Sequence, residues 1–293
     1  MQEQPGPPPD SATPRPPGAK PDRPLSGDPH PYDRLHPAMY AAELAGTAIL
    51  VAVGLSVVIA LWGKGAPWHD WDVSPGLRRA INGFLFGSVG TLIAYSPLGR
   101  ISGAHVNPSI TFAFLLSDKL KWRDAVCYVA AQLAGAALGA TLLLAWGPIG
   151  ASDAWGASVP EAGRPLWWAV SGEAVCTFLL VVLIFRFASR PATQPYTPLV
   201  NPPLFAMLTW LEAPVSGASA NPARSFGPEL IGGMWSGWWV YWVGPALGVI
   251  IAVAGYKLRL LGHFHLHQAR LFHFGHPGGV AQPNDTQTAR PPP

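Results

Sequence analysis

The chain has 293 residues, of which 49% are hydrophobic and only 12% charged. A soluble globular domain carries about 25% charged residues, so this deficit points to a bilayer and not to a soluble core. Two Cys, Cys127 and Cys176, both inside apolar runs, exclude a disulfide-rich secreted scaffold, and a net charge of +3 spread without any basic block excludes a nucleic-acid partner.

In chain order, residues 1–37 hold twelve Pro among Gly, Asp, Ser and Arg and too little apolar surface to bury, which predicts a disordered or polyproline arm. No apolar run near Met1 reads as a signal peptide. Residues 38–260 then alternate long apolar stretches with short polar loops. A hydrocarbon core of about 30 Å needs about 20 mostly apolar residues to cross it. Six stretches qualify: Ala38 to Trp62 with the lone charge Glu43, Ala80 to Gly99, Ala125 to Gly147, Pro165 to Phe185 with the lone charge Glu173, Pro191 to Leu211, and Trp235 to Tyr256. The fifth is crowded in its first half by Pro195, Pro198, Pro202 and Pro203. Two shorter stretches, Ile101 to Ser117 and Val215 to Ile231, are too short or too polar to span and read as re-entrant segments. Residues 261–293 form a polar tail with His263, His265, His267, His273 and His276. The tail offers no Cys or acidic co-ligand within that cluster, so no metal and no cofactor is expected.

With the N-terminus cytoplasmic, the inner loops carry Arg100, Lys119, Lys121, Arg123, Arg186, Arg190, Lys257 and Arg259, against Lys64, Arg78, Arg79 and Arg164 outside. That bias predicts a multi-pass integral membrane protein with both termini cytoplasmic. Twelve of the thirteen Trp then fall near the outer face, leaving Trp122 inside, which agrees with the topology without using charge. Arg78 and Arg79 stand against the rule.

An internal repeat organises the middle. Ser102-Gly103-Ala104-His105-Val106-Asn107-Pro108 and Ser216-Gly217-Ala218-Ser219-Ala220-Asn221-Pro222 share five of seven residues, and each heads a short segment. Glu43 and Thr47 in the first stretch answer Glu173 and Thr177 in the fourth, and Ala137-Leu138-Gly139 echoes Ala246-Leu247-Gly248. The chain therefore reads as an all-α membrane protein of six transmembrane helices and two re-entrant half-helices, arranged as two inverted three-helix repeats. An odd number of spans separates the two loops, so they enter from opposite faces and meet head to head. In each, Asn is a favoured N-cap and Pro fits the first helical position. Half-helices follow from Pro108 to Leu116 and from Pro222 to Ile231. Their N-termini each carry about half a positive charge, which repels cations, while the Asn amides offer donors to the oxygen of a neutral molecule. Arg224 adds a full charge, and an Arg in that place requires a wet cavity.

Residues 102–109 and Asn221-Pro222-Ala223-Arg224-Ser225-Phe226-Gly227-Pro228 resemble the two signature loops of the aquaporin and glycerol-facilitator family. The resemblance implies a passive channel for water and small neutral solutes that excludes protons and ions, with no enzymatic activity, and a homotetramer with a pore in each subunit. It makes Glu43 and Glu173 acceptors for loop backbone and His105 a residue that shapes its loop. Ser109 stands where the family usually has Ala. Carried over by spacing, the outer constriction falls on Gly87, Thr209, Ala218 and Arg224, with Phe86 in place of Gly87 if the first loop holds an extra residue. Gly and Thr would leave a wide gap that admits solutes beyond water. Ser225 and Tyr241-Trp242 resemble water channels instead, and Glu229 fits neither pattern. Two other classes stay open: a glycerol- or urea-type facilitator with water secondary, and an ion-coupled secondary transporter, which also uses inverted repeats.

Overall fold

The computed structural model describes residues 35–262, 266 and 269–271. Residues 1–34 of the arm expected over 1–37 and the tail His residues lie outside them, and Pro37, the arm's last residue, already begins a helix. Among the described residues every regular element is helical.

Helix α1 (Pro37–Trp62) starts on a Pro and ends at the extended Gly63. One face buries Glu43, Thr47, Leu50, Gly54 and Val58 at helical spacing, while Ile49 and Val53 on another face are exposed. Exposed apolar residues also run along the other long helices at Leu92, Val126, Leu142, Val175 and Ile251. A surface of that kind suits lipid and not water.

Helix α2 (Pro75–Tyr95) is capped by Ser74, whose hydroxyl accepts from the Leu77 amide, so it starts five residues before the sequence boundary at Ala80. It stops at Tyr95 because Pro97 opens the short helix α3 (Pro97–Ser102). Two half-length helices, α4 (Pro108–Leu116) and α9 (Pro222–Gly232), follow the repeated loops, at the positions expected from the Asn-Pro pairs. The remaining elements are α5 (Trp122–Leu143), α6 (Gly147–Ser152), α7 (Leu166–Ala188), α8 (Asn201–Leu211) and α10 (Val240–Lys257).

The fifth expected span, Pro191 to Leu211, departs from its outline. Its first half is a 3₁₀ segment over Gln194–Val200, and only Asn201–Leu211 is α-helix. The physical reason is the prolines: Pro195 and Pro198 supply no N–H, and their rings clash with the preceding turn. By length and composition, four helical stretches among the described residues can cross a membrane, Pro37–Trp62, Trp122–Ser152, Leu166–Ala188 and Val240–Lys257.

Packing follows the repeat. Helix α1 lies against α5, α7 against α10, and α2 against α8. In the first pair a Cβ on Gly139 would stand 2.4 Å from the Ala48 carbonyl; in the second a Cβ on Gly248 would stand 2.3 Å from the Ala174 carbonyl. The matched glycines let matched helix pairs approach closely, the usual device for packing helices in lipid. Arg78, anomalous by charge, is explained by its contacts: its guanidinium donates to the carbonyls of His69 at 2.8 Å and of Trp71, and lies over the Trp62 ring at 5.2 Å. It stitches the α1–α2 loop together.

Candidate channel site

Each repeated loop is forced into an unusual backbone by its own sequence. Gly103 and Gly217 take φ of 90° and 95°, and Ala104, Val106, Ala218 and Ala220 also take positive φ, between 41° and 55°. For the Ala and Val residues such conformations cost on the order of 1–3 kcal/mol each and persist only where surroundings over-determine them. The buried carboxylates supply that support. Glu43 accepts from the amides of His105 (2.9 Å) and Val106 (2.7 Å), and Glu173 from those of Ser219 (2.8 Å) and Ala220 (2.7 Å). The hydroxyls of Tyr128 and Tyr241 donate to the carbonyls of Ser102 and Ser216, both at 2.7 Å.

These anchors bring the two Asn-Pro corners together. The Asn107 amide donates to the Ala220 carbonyl at 2.9 Å and the Asn221 amide to the Val106 carbonyl at 3.0 Å. Each Asn also caps its own helix: Asn107 Oδ1 accepts from the Ser109 amide, and Asn221 Oδ1 from the Ala223 and Arg224 amides. Pro108 and Pro222 begin the helices that diverge from this point. The Ser109 hydroxyl is buried without a hydrogen-bond partner among the described residues.

A cavity of about 40 Å³ lies beside the paired Asn residues. Leu50, Ile110, Leu180 and Ile184 supply apolar wall, Phe86 and Phe205 stand in it, and His105 and Leu271 also line it. A water needs about 10–15 Å³ of such volume, so the space holds about three.

The filter residues expected from spacing separate into two groups. Arg224 is buried, with its guanidinium carbon 5.8 Å from the Phe86 ring centre and Nη1 donating to Ser158 Oγ at 2.5 Å. Ala218 is buried in the turn before Asn221. Thr209 instead turns to α2: its hydroxyl donates to the Arg79 carbonyl at 2.7 Å and it packs on Gly83. Gly87 borders the cavity with its backbone, and the side a Cβ would occupy faces Asn201 and Pro202 of α8 at 2.7–2.9 Å. Phe86 is the α2 residue whose ring lies beneath Arg224, and Phe205, 6.0 Å from it ring to ring, lines the cavity from α8 together with Asn201. One helical turn separates Phe205 from Thr209, the residue given by spacing to Asn221. Ser158 could not be found from sequence, since a lone Ser in a loop has no pattern. His105 stacks on Phe114 at 4.9 Å, and its ring nitrogens bond Thr111 Oγ1 (3.1 Å) and the Ala269 carbonyl (3.0 Å). Cys127 and Cys176 are free thiols on α5 and α7, half-buried and buried.

Residues 36–256 match the family model described as Major intrinsic protein. The chain is 32% identical over 233 residues to Aquaporin AqpM of Methanothermobacter marburgensis, covering 74% of this chain and 94% of that protein. It is 31% identical over 216 residues to human Aquaporin-4, covering 73% of this chain and 66% of that one. Among solved structures, the aquaglyceroporin from Plasmodium falciparum superposes with a TM-score of 0.61 at 17% identity, over 78% of this chain and 99% of that one.

Proposed function

The chain belongs to the major intrinsic protein family of integral membrane channels, and we propose that it is a water-selective member whose path runs through the junction of the two Asn-Pro corners. The observation that carries this reading is the cavity beside Asn107 and Asn221, sized for water and walled by the rings of Phe86 and Phe205. In this reading the layout is six spans in two inverted halves with α4 and α9 re-entrant, the 3₁₀ segment and α8 together making the fifth span. Both termini are cytoplasmic, and the subunits assemble as a homotetramer.

The chemistry follows from the groups at the junction. Both Asn amides present donors where the file of water must pass, and each half-helix N-terminus contributes partial positive charge. A cation meets two converging dipole ends and then the guanidinium of Arg224, in a site too apolar to replace its hydration shell. Water loses little, because donors and carbonyls replace its neighbours. The constriction consists of Phe86, Phe205, Ala218 and Arg224. Two rings 6.0 Å apart and tilted by 53° make it narrower than Gly87 and Thr209 would, so small neutral solutes larger than water pass poorly.

Stopped-flow light scattering of proteoliposomes under an osmotic gradient tests the reading. Shrinkage faster than in empty vesicles, linear in the gradient and independent of any ion gradient, is the expected result. Saturable, ion-dependent uptake would instead identify a transporter.

A further inference from the structure

Beyond Lys257 the chain turns back under the bundle: the amides of Leu260 and Leu261 both bond the Gly255 carbonyl, and the Leu261 side chain folds onto α10. Leu266 is buried, and its backbone shares a hydrogen bond with Tyr256. Residues 269–271 then reach the first loop. The Leu271 amide donates to the Gly103 carbonyl at 3.0 Å, and the Arg270 guanidinium donates to the Arg100 carbonyl at 2.6 Å. The Ala269 carbonyl sits 3.0 Å from His105 Nε2, which must be the donor of that bond. Arg270 and Leu271 are only 8% and 4% exposed, unlike a solvated tail. Leu271 lines the same cavity as Asn107, Asn221 and Phe86.

The other loop shows what such a contact does. Gly217, the counterpart of Gly103, lies under Ser158, with 3.0 Å between its Cβ position and the Ser158 backbone. Gly103 lies under residues 269–270 in the same way, at 2.8 Å from the Ala269 carbonyl. Both glycines have positive φ, and at both a side chain would collide with the covering segment. At the second loop the cover belongs to the body of the channel and carries Ser158, which holds Arg224 beside the path. At the first loop the cover is the C-terminal segment, and it places an apolar side chain in the path itself.

We propose that the mouth of the channel formed by the first loop is a binding site for the chain's own C-terminal segment, which seats Leu271 in the water path and closes it. The site recognises a short apolar-ended strand through backbone carbonyls of Arg100 and Gly103 and through the ring of His105, and Leu271 is the stopper. Release of residues 269–271 opens the channel. This rests on the reading that the cavity beside the paired Asn residues is the conducting path.

The test uses the full chain in proteoliposomes and compares the parent with Leu271→Ala and with Arg270→Ala/Leu271→Ala. Per channel, water permeability should rise by at least about threefold in the double variant if the closed state dominates in the parent. A single variant, Leu271→Cys, in the parent background should react with a charged thiol reagent far more slowly than a Cys placed at exposed Leu260. Equal water flux in parent and double variant would overturn the stopper while leaving the water path intact. Absence of water flux in both would overturn the stopper and the water path together. A Leu271→Cys thiol that reacts as fast as the one at position 260 would remove the seat itself, whatever the flux.

Discussion

Around the first loop, Glu43 serves two amides and also accepts from the Gln132 amide at 2.7 Å; around the second, Glu173 serves two amides and accepts from the Ser216 hydroxyl at 2.7 Å, which also lies 2.6 Å from Glu212. The backbones of the two loops match residue for residue in their positive φ values and their Asn caps. Their side-chain surroundings do not. His105 and Thr111 occupy in one half the places that Ser219 and Ser225 occupy in the other, each pair in hydrogen-bond contact, at 3.1 Å and 2.6 Å. The duplication thus preserves what the bend needs, a buried acceptor for two amides and a tyrosine on the first carbonyl. It leaves free what differs along a path, namely a guanidinium at one end and an imidazole at the other.

That contrast can be broken most strongly at the carboxylates. Glu43→Ala strands two buried amides, removes one of the two acceptors of the Gln132 amide, and should destabilise the folded channel by about 3–5 kcal/mol. Glu173→Ala should cost less, because Glu212 remains beside Ser216 and can swing toward the vacated site. Thermal unfolding of the two variants in detergent reads the difference, and equal losses would show that Glu212 gives no support.

The next effect concerns Arg224 and its holder. Arg224→Val should permit a proton or cation leak while water flow persists, since a fixed charge is lost and the path is not blocked. Ser158→Ala should give a weaker version of the same leak, and Ser158→Thr should restore tightness because it keeps the hydroxyl. Proton flux into vesicles carrying an internal pH dye measures both. A tight Arg224→Val variant would remove the charge barrier from the account.

A smaller difference lies at the position after each Pro. Ser109 carries a buried unpaired hydroxyl where the other half has the fully buried Ala223. Ser109→Ala should stabilise by about 1 kcal/mol, and Ala223→Ser should destabilise by about 1–3 kcal/mol, with the Asn caps unchanged in both. Chemical denaturation of the pair decides whether the hydroxyl at Ser109 is a burden or is used.

The smallest effect is one of pH. Asp153, in the loop after α6, is raised to about 7 by burial, partly offset by the charges of Arg224 and His69. Because its folded pKa lies above the unfolded value of 3.8, the folded state holds the proton more tightly. Its contribution is most favourable below about pH 4, declines as pH rises toward about 7 and is flat above that. Asp153→Asn should remove this slope, and a stability profile identical to the parent's would show that the carboxyl is well solvated.

Much of this arrangement was legible in the sequence, for physical reasons that differ by element. The half-helices were, because Asn followed by Pro favours a capped helix start and the pair recurs in two matched loops. Glu43 and Glu173 stood out as lone acids in apolar runs, but their role as acceptors for loop backbone came from the resemblance, since the pattern alone does not say which donors they meet. The fifth span was only half legible, since prolines say that an α-helix fails without saying that a 3₁₀ segment replaces it. The pairing of Phe86 with Arg224, 5.8 Å from ring centre to guanidinium carbon, is a contact between α2 and α9 that spacing along the chain leaves open between Phe86 and Gly87. Spacing names Thr209 without showing that its hydroxyl lies at 2.7 Å from the carbonyls of both Phe205 and Arg79, the second a contact that no local pattern encodes. The burial of Leu271 was not legible at all: a short apolar residue in a polar, His-rich tail gives no signal until the mouth it fits is built.

The central claim is that water passes the junction of the two Asn corners through a gap set by Phe86 and Phe205. The ratio of glycerol to water permeability in proteoliposomes, measured for the parent and for Phe86→Ala/Phe205→Ala, tests it most directly. The parent should pass water with little glycerol, and the double variant should raise the ratio sharply because removing both rings widens the gap beside Arg224. A parent that passes glycerol as readily as water, or a ratio unchanged by the loss of both rings, would contradict the account.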